Sequence, residues 1–416
     1  MSENNDSNTA WRAQSDKLLV PNYLPQPITL VRGEGCRLWD ADGNEYLDMM
    51  GGIATAALGH CNPVVTRALV AQAEKLWHVS NLYTTAPQLE LADRLIRHSF
   101  ADRVFFANSG AEANEVALKL ARRHHYVADR DAITGHDANA GRERTEIVAF
   151  EGSFHGRTLF TLTATGTPAY REGFEPVVPG VHHAPFNDLE ATKKLVGDRT
   201  AAILVEPIQG EGGVRPASAD FLTGLRQLAD DCGCLLIFDE IQTGMGRTGS
   251  LFAYQKYGVV PDIMTLAKAL GNGIPIGAML TREEIAVALV PGTHGSTFGG
   301  NPLATACGAA VMAELTDGGV LAHAEQMGKQ LGERLDAMAA RLGPGRVVEA
   351  RGVGLLRGVE LTRPAAEIVA GCRDRGVLVI TAGSHVLRLA PPLIISEAEI
   401  ERGTRVLEDV LGEMPA

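Results

Sequence analysis

Through the middle of the chain, short apolar runs alternate with amphipathic stretches. Residues 103–107, 146–150, 201–206, 234–239 and 262–266 are compact and apolar enough to read as buried strands. Between several of them, stretches such as 111–125 and 219–231 repeat their apolar positions at helical spacing. Strands alternating with helices predict an α/β fold, a mainly parallel sheet covered by helices. The ends differ. Residues 28–50 alternate apolar and polar around Asp42-Gly43, which predicts an antiparallel hairpin. Near the other end the pattern predicts a long helix over 321–342 and short strands around 353–361 and 387–390. A large central domain, 61–311, is therefore expected beside a smaller one built from 1–60 and 312–416. Residues 128–145 are polar and glycine-containing and read as a surface insertion. No internal repeat suggests a solenoid or propeller.

At 416 residues, 45% hydrophobic and 21% charged, the chain has the composition of a globular protein large enough for more than one core. Its net charge of −12 offers no basic field for nucleic acid, and nothing in the pattern calls for a membrane. The six cysteines form no CxxC pair and have no histidine at metal-ligand spacing, so they read as reduced and no metal site is expected. The polar start, Met1 to Asn8, lacks the marks of a targeting segment, and the cytoplasm is the expected location.

Lysine is rare, 8 against 30 arginines, yet Lys268 lies in the small and apolar run Thr265-Leu266-Ala267-Lys268-Ala269-Leu270. A buried amine needs a lowered pKa or a covalent role, and Schiff-base chemistry supplies both. A lysine whose head snorkels to the surface fits the same run. Asp239 ends the apolar run 235–239, where ligands of open α/β sheets collect, and can face a protonated ring nitrogen; it also fits a simple turn cap. The two residues lie about one strand-helix-strand step apart, which lets both reach adjacent strand ends. Asn108-Ser109-Gly110-Ala111-Glu112 follows a strand and opens a helix; Ser109 and Glu112 have capping-box form, and the free amides there suit a phosphate. Arg157 and Arg388 stand in glycine-rich or apolar contexts where a guanidinium seeks a carboxylate, either a substrate's or a structural partner's such as Glu211. The GxGxxG match at 244–249 opens no amphipathic helix and is set aside as a dinucleotide site.

Taken in order, NSGAEAN, GSFHGRT, VEPIQGEGG, FDEIQTGMGRTG, TLAKALGNGIPIGAML and HGSTFGGNPLA resemble the motifs of class III, fold-type I aminotransferases, from about residue 20 to the C-terminus. The resemblance implies a seven-stranded large-domain sheet, pyridoxal 5'-phosphate as cofactor, and a homodimer with shared sites. It implies that Lys268 carries the cofactor as a Schiff base, Asp239 binds the pyridine nitrogen, Gln242 lies near the ring hydroxyl and Phe154 stacks on the ring. Ser109, Gly110 and Ala111 would hold the phosphate, joined by Thr297 from the neighbouring subunit. Arg157 would take a donor carboxylate with Ser296 beside it. Arg388 would bind the α-carboxylate of 2-oxoglutarate or glutamate, exchanging it for Glu211. Within the family, YLPQPITLVRGEGCRLWDADGNEYLD, LGHCNP and HVSNLY are most similar to acetylornithine aminotransferases of arginine metabolism, with Asn62 standing where histidine is common. Ornithine, succinylornithine, 4-aminobutyrate and lysine-biosynthetic aminotransferases share these motifs. An aminomutase of the glutamate-1-semialdehyde type and a cofactor-free scaffold are the readings from other classes.

Overall fold

The computed structural model describes residues 7–132 and 144–413. The apolar runs do form the central sheet, which has seven strands in the spatial order Arg103–Ala107, Gly277–Thr281, Ile263–Leu266, Leu235–Asp239, Thr200–Val205, Glu146–Phe150, Val181–Ala184. All its pairings are parallel except those of Gly277–Thr281, which runs antiparallel to both neighbours. Strands Thr200–Val205, Leu235–Asp239 and Ile263–Leu266 are buried along their whole length, which explains why they read as unbroken apolar runs.

The covering helices carry their own boundaries. Helix Ala219–Cys232 starts at Ser218, whose side chain accepts from the N–H of Phe221, and stops at Gly233 in the left-handed region. Asn62 caps helix Pro63–Ala73 by accepting from the N–H groups of Val64 and Val65, so the departure at this position is a good helix start. Helix Pro302–Thr316 is apolar on nearly every face, with Cys307, Val311, Met312 and Leu315 buried, because helices Pro63–Ala73 and Ala86–Arg97 both pack on it. It crosses the 311/312 border expected between domains.

Both termini share a sheet: Leu30–Glu34, Arg37–Asp40 and Glu45–Asp48 form an antiparallel meander completed by Val377–Leu378. The single hairpin expected over 28–50 is thus corrected to three strands. The additional reversal falls at Gly35, whose φ of 56° is easy only for glycine. A second four-stranded sheet contains Val347–Val353, Leu356–Leu361, Val386–Leu389 and Ile380–Ala382. The strand expected over 353–361 is instead the second arm of a hairpin that turns at Gly354, where a Cβ would lie 2.5 Å from the backbone of Thr248.

The helix expected over 111–125 runs Gly110–Ala132, so the stretch 128–145 begins as helix; its residues 133–143 lie outside the described residues. At 244–249 no helix begins, and the short helix Ala253–Tyr257 follows instead. Among the described residues no helix is long and apolar enough to cross a membrane.

Candidate active site

Three neighbouring strands end together at their carboxyl edge, and a cavity of about 360 Å³ opens there. Asp239 is the last residue of its strand, in register with Thr265 of the next strand. Lys268 lies two residues past the end of that next strand, at the start of the short 3-10 helix Lys268–Gly271, and both sequence-chosen residues line the cavity. Lys268 has φ 38°, a left-handed backbone that costs a side chain about 1–3 kcal/mol and that accumulates at functional sites. Burial lowers the pKa of its amine, and the charge of Arg388 lowers it further, against the opposing pull of Glu211, Asp239 and Glu206.

Asp239 does more than cap a turn. Its Oδ2 accepts from Asn114 Nδ2 at 2.8 Å and lies 2.7 Å from His155 Nδ1, while Oδ1 accepts from the N–H of Ile241 at 3.1 Å. Asn114 also donates to the carbonyl of His155, and its Oδ1 accepts from Thr265 Oγ1 at 2.7 Å. This buried network was missed in the sequence. Asn114 and His155 stood inside two of the quoted motifs, and the signal for Asn114 is a polar residue on the otherwise apolar inner face of its helix.

At the opposite wall, helix Gly110–Ala132 points its first turn into the cavity. The N–H of Glu112 is taken by Ser109 Oγ at 3.2 Å, which leaves the first-turn amides of Gly110 and Ala111 without intrahelical acceptors. The expected capping box is only half made: the Glu112 carboxylate turns back to the N–H and side chain of Asn108, both at 2.8 Å, one residue before Ser109. Small residues are required here. A Cβ on Gly110 would meet Ile241 at 2.7 Å, and one on Gly277 would meet the Ser109 carbonyl at 2.3 Å.

Arg388 is 1% exposed and enters from the C-terminal sheet. Its Nη1 donates to Glu211 Oε1 at 2.5 Å and to Gln242 Oε1 at 3.2 Å, and Nη2 reaches Glu211 Oε2 at 3.3 Å. Burial raises the Glu211 pKa, but the Arg388 charge and hydrogen bond outweigh it and hold the carboxyl below its usual range. Arg157 is exposed at the mouth, its guanidinium 3.8 Å from the centre of the Tyr170 ring and 5.6 Å from that of Phe154. Phe154, Gln242, Ile241 and Thr55 also line it, Thr55 arriving unforeseen from the N-terminal segment. Ser296 and Thr297 do not line this cavity: Ser296 Oγ accepts from Asn108 and from the N–H of Gly299, and Thr297 borders a separate cleft with His78, Asn81 and Tyr83.

The family model for class-III aminotransferases matches residues 19–411. The chain belongs to that family. Its members are transaminases dependent on pyridoxal 5'-phosphate, with amino donors and keto acids as substrates. An acetylornithine aminotransferase of Myxococcus xanthus is 50% identical over 96% of this chain and 98% of its own. A succinylornithine transaminase of Salmonella enteritidis is also 50% identical, over 94% of each. Among solved structures, the ornithine aminotransferase of Toxoplasma gondii superposes with a TM-score of 0.91 at 33% identity, covering 98% of this chain and 95% of that one. The family's cofactor fits the residues present: a buried amine, a fixed carboxylate, open first-turn amides and an aromatic wall surround one cavity.

Proposed function

We propose that the chain transfers the terminal amino group of N2-acetylornithine, or a close ω-amino relative, to 2-oxoglutarate, giving N-acetylglutamate 5-semialdehyde and glutamate. The observation that carries this reading is the Arg388–Glu211 pair. A buried guanidinium whose carboxylate partner sits on a turn at the cavity edge suits one enzyme that handles a donor reacting at its far end and a dicarboxylate in turn. The Myxococcus relative supports N2-acetylornithine as donor; succinylornithine is the second reading, supported equally by the Salmonella relative.

When bound, the cofactor supplies an electron sink for the negative charge left at the substrate carbon. Lys268 Nζ would hold the cofactor through its aldehyde. As a free amine, Lys268 would take the proton from the donor's amino-bearing carbon and return it as general acid. Burial lowers the proton affinity of this amine, which favours its free-base form. Asp239, oriented by Asn114 and His155, keeps a proton on the ring nitrogen, and Gln242 faces the ring hydroxyl. Phe154 stacks on the ring. Ser109 and the amides of Gly110 and Ala111 hold the phosphate. Arg157 binds the donor's carboxylate. Glu211 covers Arg388 while the ω-amino donor reacts and yields it to the α-carboxylate of 2-oxoglutarate.

A homodimer follows from the same reading, with Thr297 of the partner subunit completing the phosphate site and Ser296 of the partner subunit lying beside the donor. That neither residue lines this chain's own cavity, and the exposure of Trp77, Leu82, Tyr83 and Phe298, support it. The test is kcat/KM with N-acetylornithine, N-succinylornithine, ornithine and 4-aminobutyrate against 2-oxoglutarate. The expected result is ping-pong kinetics with N-acetylornithine preferred. Preference for 4-aminobutyrate, or turnover without a keto acid, would overturn the reading.

A further inference from the structure

One buried carboxylate of the cavity has no place in this mechanism. Glu206 stands one residue past strand Thr200–Val205, lines the cavity and is 5% exposed. Both of its oxygens accept from backbone amides, Oε1 from the N–H of Phe154 at 2.9 Å and Oε2 from that of Gly210 at 3.2 Å. Those amides belong to two segments of the site that are also joined by Gln209, whose Nε2 donates to the carbonyl of Glu151 at 2.9 Å, three residues before Phe154. Phe154 forms the aromatic wall, and Gly210 precedes Glu211. The far end of the same turn is held separately, by Arg351 donating to the carbonyls of Gly213 and Val214.

A carboxylate is the side chain that satisfies two N–H donors at once; glutamine of the same length brings one acceptor and one donor, so one amide loses its partner. Keeping an acid here is costly. Burial pushes its pKa up to about 7 and the nearby Asp239 adds to the rise, while His155 and the two amides oppose it.

We propose that Glu206 is a positioning residue for the transamination, tying the backbone of Phe154 to the turn that carries Glu211, so that the seat of the cofactor ring and the closure of Glu211 on Arg388 are set together. This rests on the exchange of Glu211 and dicarboxylate at Arg388 described above. With the Gly210 amide released, Glu211 closes less firmly. The ω-amino donor, which needs the closed pair, then suffers more than the dicarboxylate, which needs it open.

The test uses the Glu206→Gln holoenzyme, with N-acetylornithine and 2-oxoglutarate varied in turn and the visible circular dichroism of the bound cofactor recorded. Loss of one hydrogen bond to a buried charge predicts that KM for N-acetylornithine rises about tenfold. On the same basis KM for 2-oxoglutarate moves less than about twofold, and the dichroic band changes amplitude as Phe154 shifts. A merely structural role would move both constants by a common factor, and that result, or an unchanged band, overturns the proposal. Glu206→Asp, which keeps the charge but is too short to reach both amides, should show the same split and serves if the glutamine variant fails to fold. Glu211→Ala separates the two readings. If it leaves the ratio of the two KM values at the wild-type value, the exchange at Arg388 is wrong; if it alone splits them, only the tether at Glu206 is wrong.

Discussion

The two ends of the cavity bury charge in different ways. At the floor, Asp239 receives Asn114, His155 and the N–H of Ile241, supplied by helix Gly110–Ala132, the loop after strand Glu146–Phe150 and its own strand end. Moving it would disturb three elements of the central sheet layer. At the substrate end Arg388 is as deeply buried, yet its carboxylate partner is on a turn with a side chain 30% exposed. A charge held by several preorganised donors stays in place, whereas a charge whose carboxylate partner is on a reachable turn can change partners. Arg247, at the seam with the C-terminal sheet, shows the fixed alternative. It donates to the carbonyls of Leu355 and Pro391 and forms no ion pair among the described residues, and burial lowers its pKa to about 10 against the opposing charge of Asp48.

This contrast can be broken from either side. The largest effect is expected at the floor: Asp239→Asn removes the charge proposed to face the ring nitrogen and should lower kcat roughly 10²–10³-fold in both half-reactions alike, as loss of a preorganised electrostatic partner does. Single-turnover rates for donor and keto acid measure it, and a loss confined to one substrate would show that the floor does not serve both. A smaller and selective effect is expected at the other end. Glu211→Ala should raise KM for the ω-amino donor about tenfold or more, because Arg388 is left buried and unpaired, while 2-oxoglutarate binds as well or better. Equal changes for both substrates would make the pair a structural ion pair.

Most of the sheet was legible because its central strands are buried on both faces and so read as apolar runs. Strand Val181–Ala184 was not, since His182 and His183 interrupt the pattern at a half-buried edge. Strand Gly277–Thr281 hid at the end of the quoted motif TLAKALGNGIPIGAML. Helix Asn8–Leu18 was missed because its sequence is polar, with a single buried residue. The site divides in the same way. Lys268 and Asp239 stood out through local context alone, charge at the end of an apolar run. Asn114, His155 and Glu206 acquire meaning only from partners distant in sequence, such as the contact between Asn114 and Asp239, which no spacing rule reveals. The pairing of Arg388 with Glu211 was foreseen from the family resemblance, and the hydrogen bond from Arg388 to Gln242 was not.

The account stands on Lys268 Nζ as the atom that holds the cofactor. Reducing the holoenzyme with borohydride and mapping its peptides by mass spectrometry tests that directly. The added pyridoxyl mass is expected on the peptide containing Lys268 and on no other of the 8 lysines; the same mass on a different lysine, with Lys268 unmodified, would contradict it.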